Sequence, residues 1–198
     1  MAFNLNDKPQ TPQAPAVDDG MYAARCVRVI ELGEQEDRYG TKPRVLLAFV
    51  VPALTINHEG EEKQRMFMTY PLNKTPNPEG TLAKYGKAMG AATPEEMIGK
   101  ACMIELEKST KSDGTVRMNI TNVAKPMAGM EIPQPDCDMF VFDYDNPDRE
   151  VFDKLTEYRQ EQIKSAKNYQ GSKVQAMLEG AVSEEDYEQI SDDAESPF

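Results

Sequence analysis

Residues 44–54 read RVLLAFVVPAL, the most apolar run in the chain. Uninterrupted from Val45 to Val51, it has the length and composition of a central β-strand. Pro52 cannot donate to a ladder, so it ends that strand or marks a bulge. On the N-terminal side, Met21–Leu32 (MYAARCVRVIEL) alternates and is rich in β-branched residues, a second strand. The polar stretch Gly33–Pro43, with Tyr39-Gly40 inside it, predicts a loop between the two. On the C-terminal side, a turn at His58–Glu62 leads into Lys63–Leu72 (KQRMFMTYPL), which alternates again. Leu82, Tyr85 and Met89 fall at helical spacing, predicting a short helix over Glu79–Gly90 that Gly90 closes. Thr93-Pro94-Glu95-Glu96 has the cap and first-turn residues of a second helical turn. Ala101–Lys108 and Thr115–Val123 are two more strands, joined by the polar link Ser109–Gly114 as a hairpin.

Three strands, a helix, then two strands is the order of the five-stranded oligonucleotide-binding (OB) barrel, with its helix between strands 3 and 4. The fold class expected is therefore mainly β. A small sandwich or another partly open barrel shares the strand count. The barrel takes residues 20–125, and flanking segments take the rest. Residues 1–19, with Pro9, Pro12 and Pro15, read as a flexible N-terminal arm. Residues 126–182 read as a Pro-containing linker and helical extension. Within it, Met139–Tyr144 (MFVFDY) is apolar enough to dock on the barrel or a partner. A helix is expected from Asn146-Pro147 to about Lys167, with Val151, Leu155 and Tyr158 on one stripe, and a shorter one over Lys173–Leu178. Residues 183–198 are an acidic tail expected to be disordered.

Charge is divided unevenly along the chain. The net −12 hides a middle, residues 20–125, with 15 Lys and Arg against 13 Asp and Glu. Residues 126–198 hold 6 against 18, and the arm is slightly acidic. A mildly basic body between acidic flanks fits a nucleic-acid binder that also recruits partners. Three cysteines (Cys26, Cys102, Cys137) without CxxC spacing, and His58 as the sole histidine, argue against zinc or a disulfide framework. Free thiols, no signal-peptide pattern and no apolar run of spanning length point to the cytoplasm, with no membrane contact.

The tail ends Asp192-Asp193-Ala194-Glu195-Ser196-Pro197-Phe198. Phe198 joins an apolar ring to the terminal carboxylate, a pair that a hydrophobic pocket with a basic rim captures together. This ending resembles the C-terminal tip of bacterial single-stranded DNA-binding proteins, which is acidic and finishes in Pro-Phe. Glu195-Ser196 stands where the bacterial tip is usually Asp-rich up to an apolar residue. The body, from Gly20-Met21-Tyr22 to Ile120-Thr121-Asn122-Val123, resembles phage-encoded single-stranded DNA-binding proteins with one OB barrel. So do the stretches Phe142-Asp143-Tyr144-Asp145-Asn146-Pro147 and Asn168-Tyr169-Gln170-Gly171-Ser172. The resemblance implies a protein of the bacterial host cell that protects single strands during phage replication, recombination or repair. It implies that Asp192, Asp193, Glu195, Pro197 and Phe198 recruit a polymerase, helicase, primase or recombinase. A monomer or dimer is expected.

Single strands are held by grooves that are positive along the backbone and carry aromatic faces for the bases. In OB barrels the groove crosses strands 2 and 3 between two loops. The candidates are Arg38, Tyr39, Lys42 and Arg44 near the first loop, and Lys108, Lys111 and Arg117 near the second. On the third strand, Lys63, Arg65, Phe67 and Thr69 share one face, and Met66, Met68 and Tyr70 the other. Arg65 and Phe67 form the basic-plus-aromatic face; a slip of one residue would make Phe67 core and turn the Tyr70 face outward.

Other signals fail. Gly80–Lys87 imitates a phosphate loop, but five residues separate its glycines and Ala88 replaces the Ser/Thr. Asp143, Asp145 and Asp148 have calcium-like spacing without the turn glycine, so Asp148 reads as a helix N-terminal residue. No metal, cofactor or catalytic constellation is expected. The rival readings are an annealing or recombination-mediator protein, a nuclease, and an adaptor that binds no DNA.

Overall fold

A computed structural model describes residues 16–38, 40–58, 60–112 and 114–180. Its centre is a long hairpin of β1 (Gly20–Asp37) and β2 (Gly40–His58), with β3 (Glu61–Met68) antiparallel to β2. β4 (Leu72–Asn73) adds a short pairing to β2. α1 (Thr81–Met89) ends at Gly90 in the left-handed conformation, and a 3-10 turn (Glu95–Met97) follows. β5 (Ala101–Thr110) pairs with β1, and β6 (Val116–Ala124) with β5. β7 (Phe140–Phe142) runs parallel to β1 at Arg28–Ile30. α2 (Arg149–Asp153), α3 (Glu157–Lys164) and α4 (Lys173–Glu179) complete the described chain. Among the described residues no helix is long and apolar enough to cross a membrane.

The ladder order is β3-β2-β1-β5-β6, with β4 and β7 at the side. The five expected strands are seven, and the sheet is open. β3 and β6 approach each other without a ladder between them, and side chains of both line the seam. Pro52 does mark a bulge, since Val51 pairs with Arg65 while the next pair is Thr55 with Gln64.

β1 and β2 are buried on both faces. On one side Val29, Leu47, Phe49 and Phe67 pack with Ile104, Leu106 and α1 residues Tyr85 and Met89. On the other, Ile30, Leu32 and Leu46 pack with Phe140, Phe142, Phe152, Leu155, Ile163 and Val174 of the C-terminal extension. This second core is why the run 45–51 has no polar position: both its faces are covered. Phe142 and Phe152 meet as tilted rings at 5.7 Å.

Three expectations change here. The predicted loop Gly33–Pro43 is mostly strand, with Glu34, Gln35, Glu36 and Asp37 paired to Pro43, Lys42, Thr41 and Gly40. The extension ties this polar ribbon down. Asn168 Oδ1 accepts from Glu34 N, Glu34 O accepts from Lys167 N (both 2.8 Å), and Lys167 Nζ lies 2.6 Å from Glu36. At Gly33, φ is +69° and an added Cβ would lie 2.5 Å from the Tyr144 ring, so the ribbon bends there only with glycine. The single helix expected over 146–167 is two, α2 and α3. Asp148 caps α2 by accepting from Glu150 N and Val151 N. The Gln160 side chain donates to the carbonyls of Phe152 and Leu155 at the break, where Phe152 O also accepts from Leu155 N. Tyr158, expected on the buried stripe, is 70% exposed.

Candidate nucleic-acid interface

The open seam between β3 and β6 forms a groove of about 630 Å³, lined by Lys63–Met68, Val116–Met118, Arg28, Ile56 and Ala16. Through Met68, Arg117 and Met118 it continues into a hollow of about 390 Å³ that reaches Tyr70, Asn119, Tyr158, Arg159 and Gln162. Among the described lining residues there are five cations and no carboxylate.

The local folding explains how the cations come together. Arg65 alternates inward beside Phe67 on β3, and its side chain is trapped at the seam where no β6 ladder covers it. It is 8% exposed, its guanidinium carbon lies 5.0 Å from the Phe67 ring centre, and burial lowers its pKa. Arg28 follows the first bulge of β1, 4.9 Å from the Phe140 ring, with Nε buried and no hydrogen-bond partner. Arg117 is an exposed residue of β6. Among the described residues none of these three guanidiniums has a hydrogen bond or ion pair. Elsewhere arginines are satisfied: Arg25 donates to the carbonyls of Gly99, Ile132 and Pro133, and Arg44 pairs with Asp37. A desolvated cation without a partner costs several kcal/mol. Such a site stabilises an incoming anion that supplies the missing contacts.

The aromatic component is Tyr70, 58% exposed and held by its hydroxyl, which meets Asn119 Oδ1 at 2.8 Å. Asn119 Nδ2 in turn donates to Ser109 Oγ at 2.7 Å. The tether crosses the seam and leaves most of the ring in solvent, a rigid stacking face.

Of the residues expected at the site, Arg65, Phe67, Tyr70 and Arg117 converge on this seam, but not with the expected faces. Phe67 is 6% exposed and belongs to the core, so it supports Arg65 and offers no base a face. Tyr70 is the outward ring, because β3 turns Phe67 into the core with Phe49 and Ile104. Arg44 is taken up by Asp37 and lines a separate pocket, away from the seam. Arg38 and Lys42 sit at the tip of the β1–β2 hairpin. Lys108 is tied to Asp18 (3.3 Å) and Lys111 lies exposed on the β5–β6 turn. Tyr39, Asp192, Asp193, Glu195, Pro197 and Phe198 lie outside the described residues. Sequence reasoning missed Arg28, Tyr158 and Arg159. An arginine in an alternating strand reads as an ordinary solvent-facing residue, and only its missing partner distinguishes it.

Two other regions compete for attention. A hollow of about 790 Å³ under α1, between Asn73–Pro78 and Ala91–Met97, is mostly apolar and carries neither an aromatic face nor converging charge. On the opposite flank, Glu31 is 2% exposed, receives the Tyr144 N–H, and binds Lys74 Nζ at 2.6 Å. The carboxylates of Glu31, Asp143 and Asp145 lie within 4.8 Å of one another, but the Lys74 ammonium already stands between them as counter-ion. A divalent cation does not fit this set. Cys26 and Cys102 are buried thiols, the second pushed up to about 12 by burial, which makes them poor nucleophiles. Comparison with models of known families and with curated proteins gives no match for this chain.

Proposed function

We propose that the protein binds single-stranded DNA along the β3–β6 seam of an OB-type barrel that is left open there. The carrying observation is the trio Arg28, Arg65 and Arg117, cations in one groove with no carboxylate to neutralise them. Phosphates would supply those partners, and the Tyr70 ring would stack on a base that a duplex keeps hidden. The ladder order β3-β2-β1-β5-β6 supports the barrel reading, as does α1 placed between β3 and β5. In this reading the strand lies against the seam, and sequence preference is weak because stacking accepts any base. The acidic C-terminal tip ending in Pro197-Phe198 then recruits replication or recombination proteins. Fluorescence anisotropy with labelled oligo(dT) and a duplex of equal length, across a salt series, tests the proposal. Preference for the single strand that weakens with salt is the expected result; no binding at low salt would remove it.

A further inference from the structure

We infer that the C-terminal extension is part of the strand-binding surface, with Tyr158 and Arg159 of α3 as a second stacking platform beyond Tyr70. The inference rests on the proposed single-strand reading and deepens it. Among the described residues Tyr158 is the most exposed of the large apolar side chains, so the second core does not account for its position. The Arg159 guanidinium lies 5.0 Å from the Tyr158 ring centre and is anchored by Gln162 Oε1 at 2.7 Å and Met68 Sδ at 3.9 Å. The charge therefore belongs to a fixed ring-and-cation pair, where two free side chains would each have to be ordered on binding. No described carboxylate faces it across the hollow. On α3 itself, Glu157 is exposed at the first turn outside the hollow's lining, and Glu161 is paired with Lys164 at 2.9 Å.

Continuity with the seam decides the assignment. Met68, Arg117 and Met118 line both hollows, so a strand leaving Arg65 meets Arg117, then Tyr70, then Tyr158 and Arg159. The path from Lys63 to Tyr70 alone spans about 23 Å of extended chain. Adding α3 lengthens the surface beyond the sheet. The break between α2 and α3 is what turns Tyr158 toward solvent here, and Gln160 holds that break. An acidic peptide would use the cations, but a row of exposed rings interleaved with them matches unstacked bases better.

The test uses the full chain with oligo(dT) of about 6 and about 20 nucleotides, bracketing the site sizes of such folds. Tyr158→Ala should weaken the longer strand about tenfold and the shorter one less than twofold. Tyr158→Phe should keep the wild-type affinity for both. With an abasic strand of equal charge, Tyr158→Ala should make no difference. Unchanged affinity of Tyr158→Ala for the long strand, while an Arg65/Arg117 double variant loses it, would overturn the inference and leave the proposed function standing. An equal loss on the abasic strand would also overturn it, since charge and not stacking would then be at work. If the wild type binds neither oligonucleotide, both readings fall together.

Discussion

The seam and the Glu31–Lys74 pocket lie on two flanks of the same sheet, and they treat charge in opposite ways. In the pocket, a carboxylate at 2% exposure has an ammonium at 2.6 Å and a backbone N–H on its second oxygen. Burial still pushes Glu31 above its ordinary pKa, while Glu31 holds Lys74 protonated. In the seam, Arg65 is buried and Arg28 half-buried with its Nε out of water, each with only an aromatic ring for company. A compensated pair fixes three segments of one structure: β1, the chain after β4, and the stretch entering α2. An uncompensated set lowers stability and is ready for a ligand. Balanced charge here holds segments together, and unbalanced charge is what the proposed binding reading rests on.

The largest effect expected concerns the pocket. Lys74→Ala would leave Glu31 buried with no counter-ion, only the Tyr144 N–H, and should cost about 3–5 kcal/mol in denaturant unfolding. Oligo(dT) affinity measured under native conditions should not change. A loss below about 1 kcal/mol would mean that the pocket is as tolerant as the seam, and the contrast would collapse.

Next comes the seam. Arg65→Met with Arg117→Gln should lower oligo(dT) affinity at least about thirtyfold, since hydrogen bonds to charged groups are lost. The salt dependence should shallow by about 1.4 in slope, two phosphate contacts on a single strand. Stability should hold or rise by about 1 kcal/mol, because a buried cation is replaced by an apolar side chain. A destabilised variant with intact binding would reverse the assignments of the two regions.

The smallest effect is a pH dependence. Burial opposes the Lys74 charge, but the hydrogen bond and charge of Glu31, with the charges of Asp145 and Asp143, outweigh it, and the pKa stands above its ordinary 10.5. Its contribution to stability is therefore complete below about pH 10.5 and is lost as pH rises through the raised value. Thermal melts should show the wild type losing stability faster than Lys74→Met above that pH. Tyrosine ionisation affects both proteins alike and cancels in the difference.

How much of this could be read from residues alone depends on where each signal lies. Strand order was legible because Met21–Leu32, Arg44–Leu54 and the 101–123 hairpin each carry strong periodicity or strong apolarity. The face of β3 was not. In KQRMFMTY the apolar residues Met66 and Met68 alternate with Phe67, so both faces qualify as core and only packing decides. The polarity of Glu34–Asp37 predicts a loop, whereas it marks a ribbon paired with Gly40–Pro43 and tied at Glu34 to Lys167 and Asn168. The apolarity of Met139–Tyr144 made its docking legible, but not its parallel pairing with β1, since that partner is more than a hundred residues away in sequence. The candidate site was half legible: residue types suggested Arg65, Tyr70 and Arg117, which converge on the seam, but an arginine's lack of a partner is a property of three dimensions.

That distant partnership of β7 with β1 has a consequence for the order of synthesis. A ribosome adds about 5–20 residues per second, so β1 and β2 emerge on the order of ten seconds before Val174 does. For that interval Ile30, Leu32 and Leu46 are covered by Met68 of β3 alone, because everything else that packs with them lies after residue 139 or is one of themselves. The β1 edge at Arg28–Ile30 waits as well, since β5 pairs only with Gly20–Arg25. The nascent body is thus a sticky, open-edged sheet until its own C-terminal third arrives to shield it, and the extension serves the chain first as its intramolecular chaperone.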